Sequence, residues 1–274
     1  MRKITELAAV FPPDLAVACA APELRPQTEA LAARLGLPVA AENERRQLLL
    51  RCTAEGLELV KPDDPQLRGP LRVDFVAGAF AFRCQQQGKE LLLRAAGCKG
   101  GFRPAVLDAT GGLGRDSFLL AAAGCAVHIF ERNPVVAALL ADGLERARLH
   151  PAAAAIASRI SLSCGCSVAA LRAAALQGER IELVYLDPMF PERSKTALVK
   201  KEAQLLQLLS PPPSLEEEKA LLDAARAASH RVAVKRPAKS PHLAGQAPSH
   251  ALHGKTVRFD VYLAEQEPQP LPQE

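Results

Sequence analysis

From Ala105 onward the chain alternates short apolar runs with segments of helical periodicity, and this constrains the fold more than any other feature. Ala105-Val106-Leu107 ends at Asp108, a glycine-rich turn follows, and a helix is expected from Arg115 to Ala123, closed by Gly124. Ala126–Phe130 is the next expected strand, ending at Glu131. Asn133-Pro134 then opens a helix, with a favoured N-cap followed by a favoured first helical residue. Ile160–Ser163, the almost wholly apolar Ile181–Leu186, Arg231–Val234 and Val257–Leu263 read as further strands. An Ala/Leu-rich helix running to Leu176 and a helix over Leu215–Ala228 lie between them. Strands separated by helices imply βαβ units, a parallel sheet and right-handed crossovers. In such sheets ligands lie at the carboxyl ends of strands, which singles out Asp108, Glu131, Cys166-Ser167 and Asp187.

The first hundred residues lack this rhythm. Leu15–Cys19 is an expected strand, Gln27–Leu35 a helix stopped by Gly36, and Leu48–Lys61 a hairpin turning at Gly56. Val73-Asp74-Phe75 and Phe80-Ala81-Phe82 are expected as short strands and Glu90–Ala96 as a short helix. The linker Lys99–Pro104 punctuates the chain. The expected organisation is an α/β appendage over 1–100, a main α/β unit over 101–264 and a frayed, proline-containing tail over 265–274.

The 274 residues leave room for one large domain with a smaller partner. No apolar run approaches the ~20 residues of a membrane-spanning helix. Met1–Glu6 carries an early acid and no signal-peptide core, so a cytoplasmic location is expected. Seven scattered cysteines fit a reducing compartment. Cys164-Gly165-Cys166 lacks a second ligand pair for zinc, so no metal is expected. The six histidines form no catalytic pattern, and His250-x-x-His253 reads as loop surface. A net charge of +4 does not by itself identify a nucleic-acid binder.

Asp108-Ala109-Thr110-Gly111-Gly112-Leu113-Gly114 follows a strand and opens a helix, so its glycines can turn tightly and approach a ligand closely. Glu131, at the end of the next strand, can accept both hydroxyls of a ribose. The phosphate-cradling GxxxxGK[ST] is missing, and so is the dinucleotide GxGxxG, whose third glycine is replaced by Ser117. The spacing resembles motif I of class I methyltransferases, acidic-x-Gly-x-Gly-x-Gly, with Thr110 in the first glycine place. Asp116 in the first helical turn would repel a phosphate and favour a sulfonium.

Asp187-Pro188-Met189-Phe190-Pro191 resembles the Asp-Pro-Pro-Tyr/Phe motif of amino-group methyltransferases. An exocyclic amine on a base ring is a poor nucleophile because its lone pair is delocalised. The Asp187 carboxylate and the Pro188-side backbone carbonyl can accept its two N–H bonds and aim the lone pair. Pro188 stiffens the loop and Phe190 can stack on the base.

Longer blocks carry a more specific likeness. Asp108–Asp116, Phe130–Leu140, Val184–Pro191, Lys195–Glu202, Val234–Pro237 and Arg258–Asp260 resemble the ribosomal RNA small subunit methyltransferase J family. The resemblance implies a Rossmann-like class I methyltransferase fold, with a mostly parallel seven-stranded sheet covered by helices on both faces. It implies methyl transfer from S-adenosylmethionine, leaving S-adenosylhomocysteine, to the N2 amine of one guanosine near the 3′ end of 16S rRNA. The implied partner is therefore 16S rRNA or the small ribosomal subunit, and the protein is expected to act as a monomer. The Asp-Pro-Met-Phe motif makes Asp187, Pro188 and Phe190 the candidate catalytic residues. By position the resemblance implies cofactor contacts at Arg115, Asp116, Glu131, Arg132, Cys166, Ser167 and Asp187, to which the glycine turn adds Asp108, Gly112 and Gly114 as candidates. The family has a Ser-Ser pair where this chain has Cys166-Ser167, which leaves the backbone as the contact at 166. Arg193, Lys195, Lys200 and Lys201, with Arg231, Lys235, Arg236 and Lys239, are expected as a basic collar for RNA phosphates. An amino methyltransferase acting on DNA adenine or protein glutamine, and a non-catalytic RNA-binding assembly factor, stay open as alternatives.

Overall fold

The computed structural model describes residues 12, 14–41, 46–64, 69–77, 90–189 and 201–264. Phe80–Phe82, the 265–274 tail, Phe190, Arg193, Lys195 and Lys200 lie outside them.

In the main unit, β4 (Val106–Asp108), β5 (Val127–Glu131), β6 (Ile160–Cys164), β7 (Leu183–Leu186) and β8 (Arg231–Pro237) are parallel. Two further strands, β9 (His250–His253) and β10 (Val257–Leu263), complete a seven-stranded sheet in the order β6-β5-β4-β7-β8-β10-β9. β10 runs antiparallel to β8, and β9 antiparallel to β10. The chain moves outward from β4 to β6, then returns to the other side of β4 for β7. The crevice where ligands bind in such sheets therefore opens above β4 and β7.

Alternation along each strand divides two apolar layers. Leu183 and Tyr185 of β7 face one layer, and Val184 and Leu186 the other. The first layer receives α3 (Arg115–Ala122) and α4 (Pro134–Leu149), and the second receives α6 (Ser167–Leu176) and α8 (Leu215–Ala228). The start of α4 is fixed as its sequence requires. The Asn133 side chain accepts the amides of Val135 and Val136, and Pro134 occupies the first turn. Val135, Leu139, Leu140 and Leu144 then form its buried stripe. Ser214 and Glu217 make a reciprocal capping box at the start of α8. The short α2 (Leu91–Ala95), α5 (Ala154–Ala157) and α7 (Lys201–Leu209) complete the described α-helices of this region.

The described residues before 61 include a three-stranded sheet, β1 (Leu15–Cys19), β2 (Leu48–Thr53) and β3 (Gly56–Val60), with helix α1 (Arg25–Leu35). Gly36 ends α1 in the left-handed conformation, as its sequence position predicts. Leu15, Val17, Leu50 and Leu59 of this sheet join one contiguous apolar cluster with Phe118, Leu139 and Leu144.

Two expectations are corrected here. Val73-Asp74-Phe75 is not a strand. Its partners are helices rather than a sheet edge, with Val73 lying over Gly143 of α4 and Phe75 stacking on Phe118 at 4.4 Å. Asp74 accepts the amides of Val76 and Ala77 and turns the chain locally. His250-x-x-His253 is not a loop but the edge strand β9, with both imidazoles exposed. A strand of four residues at a sheet edge leaves little periodic signal.

Candidate active site

A cleft of about 620 Å³ opens at the carboxyl ends of β4, β5, β6 and β7. The turn after β4 forms its floor. Gly111 donates its amide to the Phe130 carbonyl at 2.9 Å, so the turn presses directly against β5. A Cβ at Gly111 would lie 2.4 Å from the Ile129 side chain and 3.0 Å from the Phe130 oxygen, which explains glycine there. Gly114, at φ +70°, opens α3 in the left-handed region.

Two acids hold this turn. Asp108 is buried, accepting the Ser117 hydroxyl at 2.5 Å and the Thr110 amide at 3.0 Å. Removal from water pushes its pKa up to about 7, despite those two donors and with the nearby Asp116 and Asp187 charges adding to the rise. Glu131 accepts the Gly112 amide through one oxygen and the Asn133 amide through the other, both at 2.7 Å. Burial raises its pKa while the two amides oppose the rise. A carboxylate has about four acceptor sites, so Glu131 keeps acceptor capacity for a ligand hydroxyl beside these amides.

Asp187 follows β7 on the other side of the turn. Its amide donates to Thr110 Oγ1 at 2.6 Å, which ties the second motif directly to the first. Its carboxylate is 39 % exposed toward the cleft, and Pro188 and Met189 line the same wall. Lys235, from β8, reaches between Asp187 and Asp116, donating at 2.9 Å to Asp187 Oδ2 and 2.6 Å to Asp116 Oδ2. Tyr185 donates its hydroxyl to the same Asp116 oxygen at 2.6 Å. Desolvation raises the Asp187 pKa, Lys235 pulls it down and Asp116 pushes it up, leaving it raised overall. Desolvation works against the Lys235 ammonium, but Asp187 and Asp116 outweigh it and raise its pKa.

Cys166 and Ser167 reach the cleft from the start of α6, with Cys166 as its N-cap. Arg115 and Arg132 also line the cleft, but both are engaged. Arg115 makes a two-pronged pair with Glu202 of α7, at 2.6 and 2.7 Å, and Arg132 pairs with Glu217 of α8 at 3.0 Å. The segment joining α7 to α8 thus closes one side of the cleft. Asn133 strengthens that closure by donating to the Leu209 carbonyl and Ser210 hydroxyl.

The expected basic collar needs correction. Lys235 sits between carboxylates on the cleft floor. Arg236 is 2 % exposed and donates to the Pro241 carbonyl, with Glu218 of α8 at 3.6 Å. Period-2 alternation sends these neighbours to opposite faces of the sheet. Arg231 begins β8, so it lies at the end of the strand remote from the cleft, where it donates to the Ala95 carbonyl. Lys201 begins α7.

Comparison with known proteins decides the family. Residues 30–264 match the family model described as SAM-dependent methyltransferase, SAM standing for S-adenosylmethionine. Ribosomal RNA small subunit methyltransferase J of Pseudomonas aeruginosa strain UCBPP-PA14 is 49 % identical over 236 residues, covering 84 % of this chain and 87 % of the relative. Its namesake in Thioalkalivibrio sulfidiphilus is 45 % identical over 258 residues, covering 91 % and 97 %. The crystal structure of a SAM-dependent methyltransferase from Neisseria gonorrhoeae superposes with a TM-score of 0.71 at 32 % identity, covering 94 % of this chain and all of that one. The chain belongs to the ribosomal RNA small subunit methyltransferase J family.

The residues around this cleft have the chemistry to hold S-adenosylmethionine, the methyl donor of the family. A side chain at Gly111 would distort the turn forming the floor, Glu131 offers lone pairs at one end, and Asp187 stands at the other. The hydroxyl contacts of Thr110, Ser117 and Tyr185 are what sequence reasoning missed. Thr110 had a signal, since it stands in a glycine's place within motif I and brings a hydroxyl. Ser117 had one too, replacing the third glycine of the dinucleotide pattern. Tyr185 had none, because a tyrosine inside an apolar strand reads as core.

Proposed function

We propose that this protein transfers a methyl group from S-adenosylmethionine to the exocyclic N2 amine of a guanosine near the 3′ end of 16S rRNA. The observation that carries the proposal is the placing of Glu131 and Asp187 on opposite sides of one glycine turn, both opening onto one cleft. In this reading residues 101–264 carry the chemistry. The protein acts as a monomer in the cytoplasm, on 16S rRNA or the small subunit, and needs no metal.

Bound S-adenosylmethionine supplies an electrophilic methyl group on a sulfonium, and the protein's task is to present the amine to it. Glu131 receives ribose hydroxyls, and the turn at Gly111–Gly114 admits the ligand close to the backbone. The Asp187 carboxylate and the carbonyl of Pro188 accept the two amine N–H groups, fixing the lone pair and stabilising positive charge as it develops on nitrogen. As the C–N bond forms and the methyl–sulfur bond breaks, leaving S-adenosylhomocysteine, the amine sheds one proton, and Asp187 is the acceptor in contact with it. Target guanine reaches this recessed site flipped or already unpaired.

The test is to add the protein and labelled cofactor to small subunits lacking the modification, then identify the labelled nucleoside by mass spectrometry. N2-methylguanosine is expected from the wild type and none from Asp187→Ala. Label on DNA adenine or protein glutamine, or binding without transfer, would replace the proposal with one of the alternatives.

A further inference from the structure

We propose that Lys235 is a positioning residue for the transfer, joining Asp116 to Asp187 so that Asp187 meets the substrate amine as a carboxylate with Oδ1 available. The inference rests on the role given to Asp187 above.

Lys235 leaves β8 toward the face that carries α3, and its ammonium enters the space between two carboxylates. Both contacts are short enough to be charge-assisted hydrogen bonds. Asp116 is anchored independently by the Tyr185 hydroxyl, and the Asp187 backbone by Thr110. The ammonium therefore bridges two fixed points. It uses Oδ2 of Asp187, and among the described residues no donor occupies Oδ1. The side chain is only 27 % exposed, so it is poorly placed to meet an RNA phosphate.

The charges around Asp187 require such a bridge. Asp116 from α3, Asp108 from β4 and the Tyr185 phenol from β7 all stand near it, and Arg236 contributes a weaker opposing field from β8. Without Lys235, Asp116 and Asp187 would face each other across a gap one ammonium wide. Two carboxylates in that position do not both ionise readily. A protonated Asp187 would turn one acceptor into a donor and lose its grip on the amine.

The experiment compares wild type, Lys235→Met and Lys235→Arg on unmodified small subunits, at saturating cofactor, across a pH series. Thermal unfolding and calorimetric binding of S-adenosylhomocysteine are measured alongside. Lys235→Met is expected to lower kcat at neutral pH by about tenfold or more and to move the acidic limb of kcat up by about one pH unit, the effect of losing one adjacent opposite charge. KM for the subunit should change little, and Lys235→Arg should keep the limb where the wild type has it. A raised KM with kcat and the limb unmoved would assign Lys235 to RNA contact and overturn the inference. Unchanged kinetics in Lys235→Met would overturn it as well. Should the Met variant not fold, Lys235→Gln, which keeps a donor without charge, carries the same expectations. Asp187→Ala in the same assay separates the two levels. Normal turnover there removes the reading of Asp187, whereas its loss leaves the Lys235 variants to decide the inference alone.

Discussion

Glu131 accepts the amide of Gly112 at 2.7 Å, so the acid expected to hold a ribose also braces the turn beneath it. Its other oxygen accepts the Asn133 amide at the start of α4. Glu131→Ala is therefore expected to have two effects. Orphaning two amides should lower stability by about 1–3 kcal/mol, and losing the acceptor should weaken S-adenosylmethionine by ~1.5–3 kcal/mol. Denaturant unfolding and calorimetry check them separately. An unchanged dissociation constant would remove Glu131 from the ligand site and leave it as a brace.

The glycines of the turn should differ in kind. Gly111→Ala forces a Cβ against Ile129 and the Phe130 carbonyl, an overpacking cost of about 1–3 kcal/mol, and should also distort the cleft floor. Gly112→Ala meets nothing nearer than the Thr110 oxygen at 3.8 Å, but its φ of +52° costs a side chain about 1–2 kcal/mol. Binding by Gly111→Ala at wild-type affinity would show that the floor tolerates displacement.

Thr110→Val removes the acceptor for the Asp187 amide while keeping the side-chain shape. A stability loss of about 1–2 kcal/mol is expected from the unpaired amide. Because Asp187 sits on that bond, kcat should fall more than cofactor affinity. Equal losses in both would mean that Thr110 supports the cleft generally rather than the second motif.

Asp108 sets a pH dependence whose direction follows from its raised pKa. Its folded value is about 7, against an ordinary value of 3.8. Between those values the unfolded chain has released a proton that the native state retains. Stability therefore falls as pH rises from about 4 to about 7, by at most about 4 kcal/mol. Asp108→Asn, with no proton to lose, should flatten this part of the profile. Urea unfolding at several pH values checks it, and parallel profiles for the two proteins would show that Asp108 is ionised when folded.

Much of this architecture is local, which is why it is readable from residues. Asn133-Pro134 marks a helix start because the cap and the first turn lie within a few positions of each other. The strands around Val106, Ile129 and Val184 announce themselves by apolar runs of the right length between helical segments. The same logic placed Asp108, Glu131 and Asp187 at strand ends, where a parallel sheet gathers its ligands. Longer shared blocks then carried the resemblance to a methyltransferase family.

What the chain alone determined was thus the main strand–helix alternation after Ala105 and which acids end its strands, since both depend on neighbours in sequence; the edge strand His250–His253 and the helix Lys201–Leu209 were not legible there. Only the folded structure decided how those acids are employed. Arg115 finds Glu202 across 87 positions, and Arg132 finds Glu217 across 85. Lys235 and Arg236 are adjacent, yet one enters the cleft and the other is buried against α8. A charge at a strand end carries no mark of which face it will take. That depends on the register of the strand in the sheet and on the helices packed over it, and both are set by contacts distant in sequence.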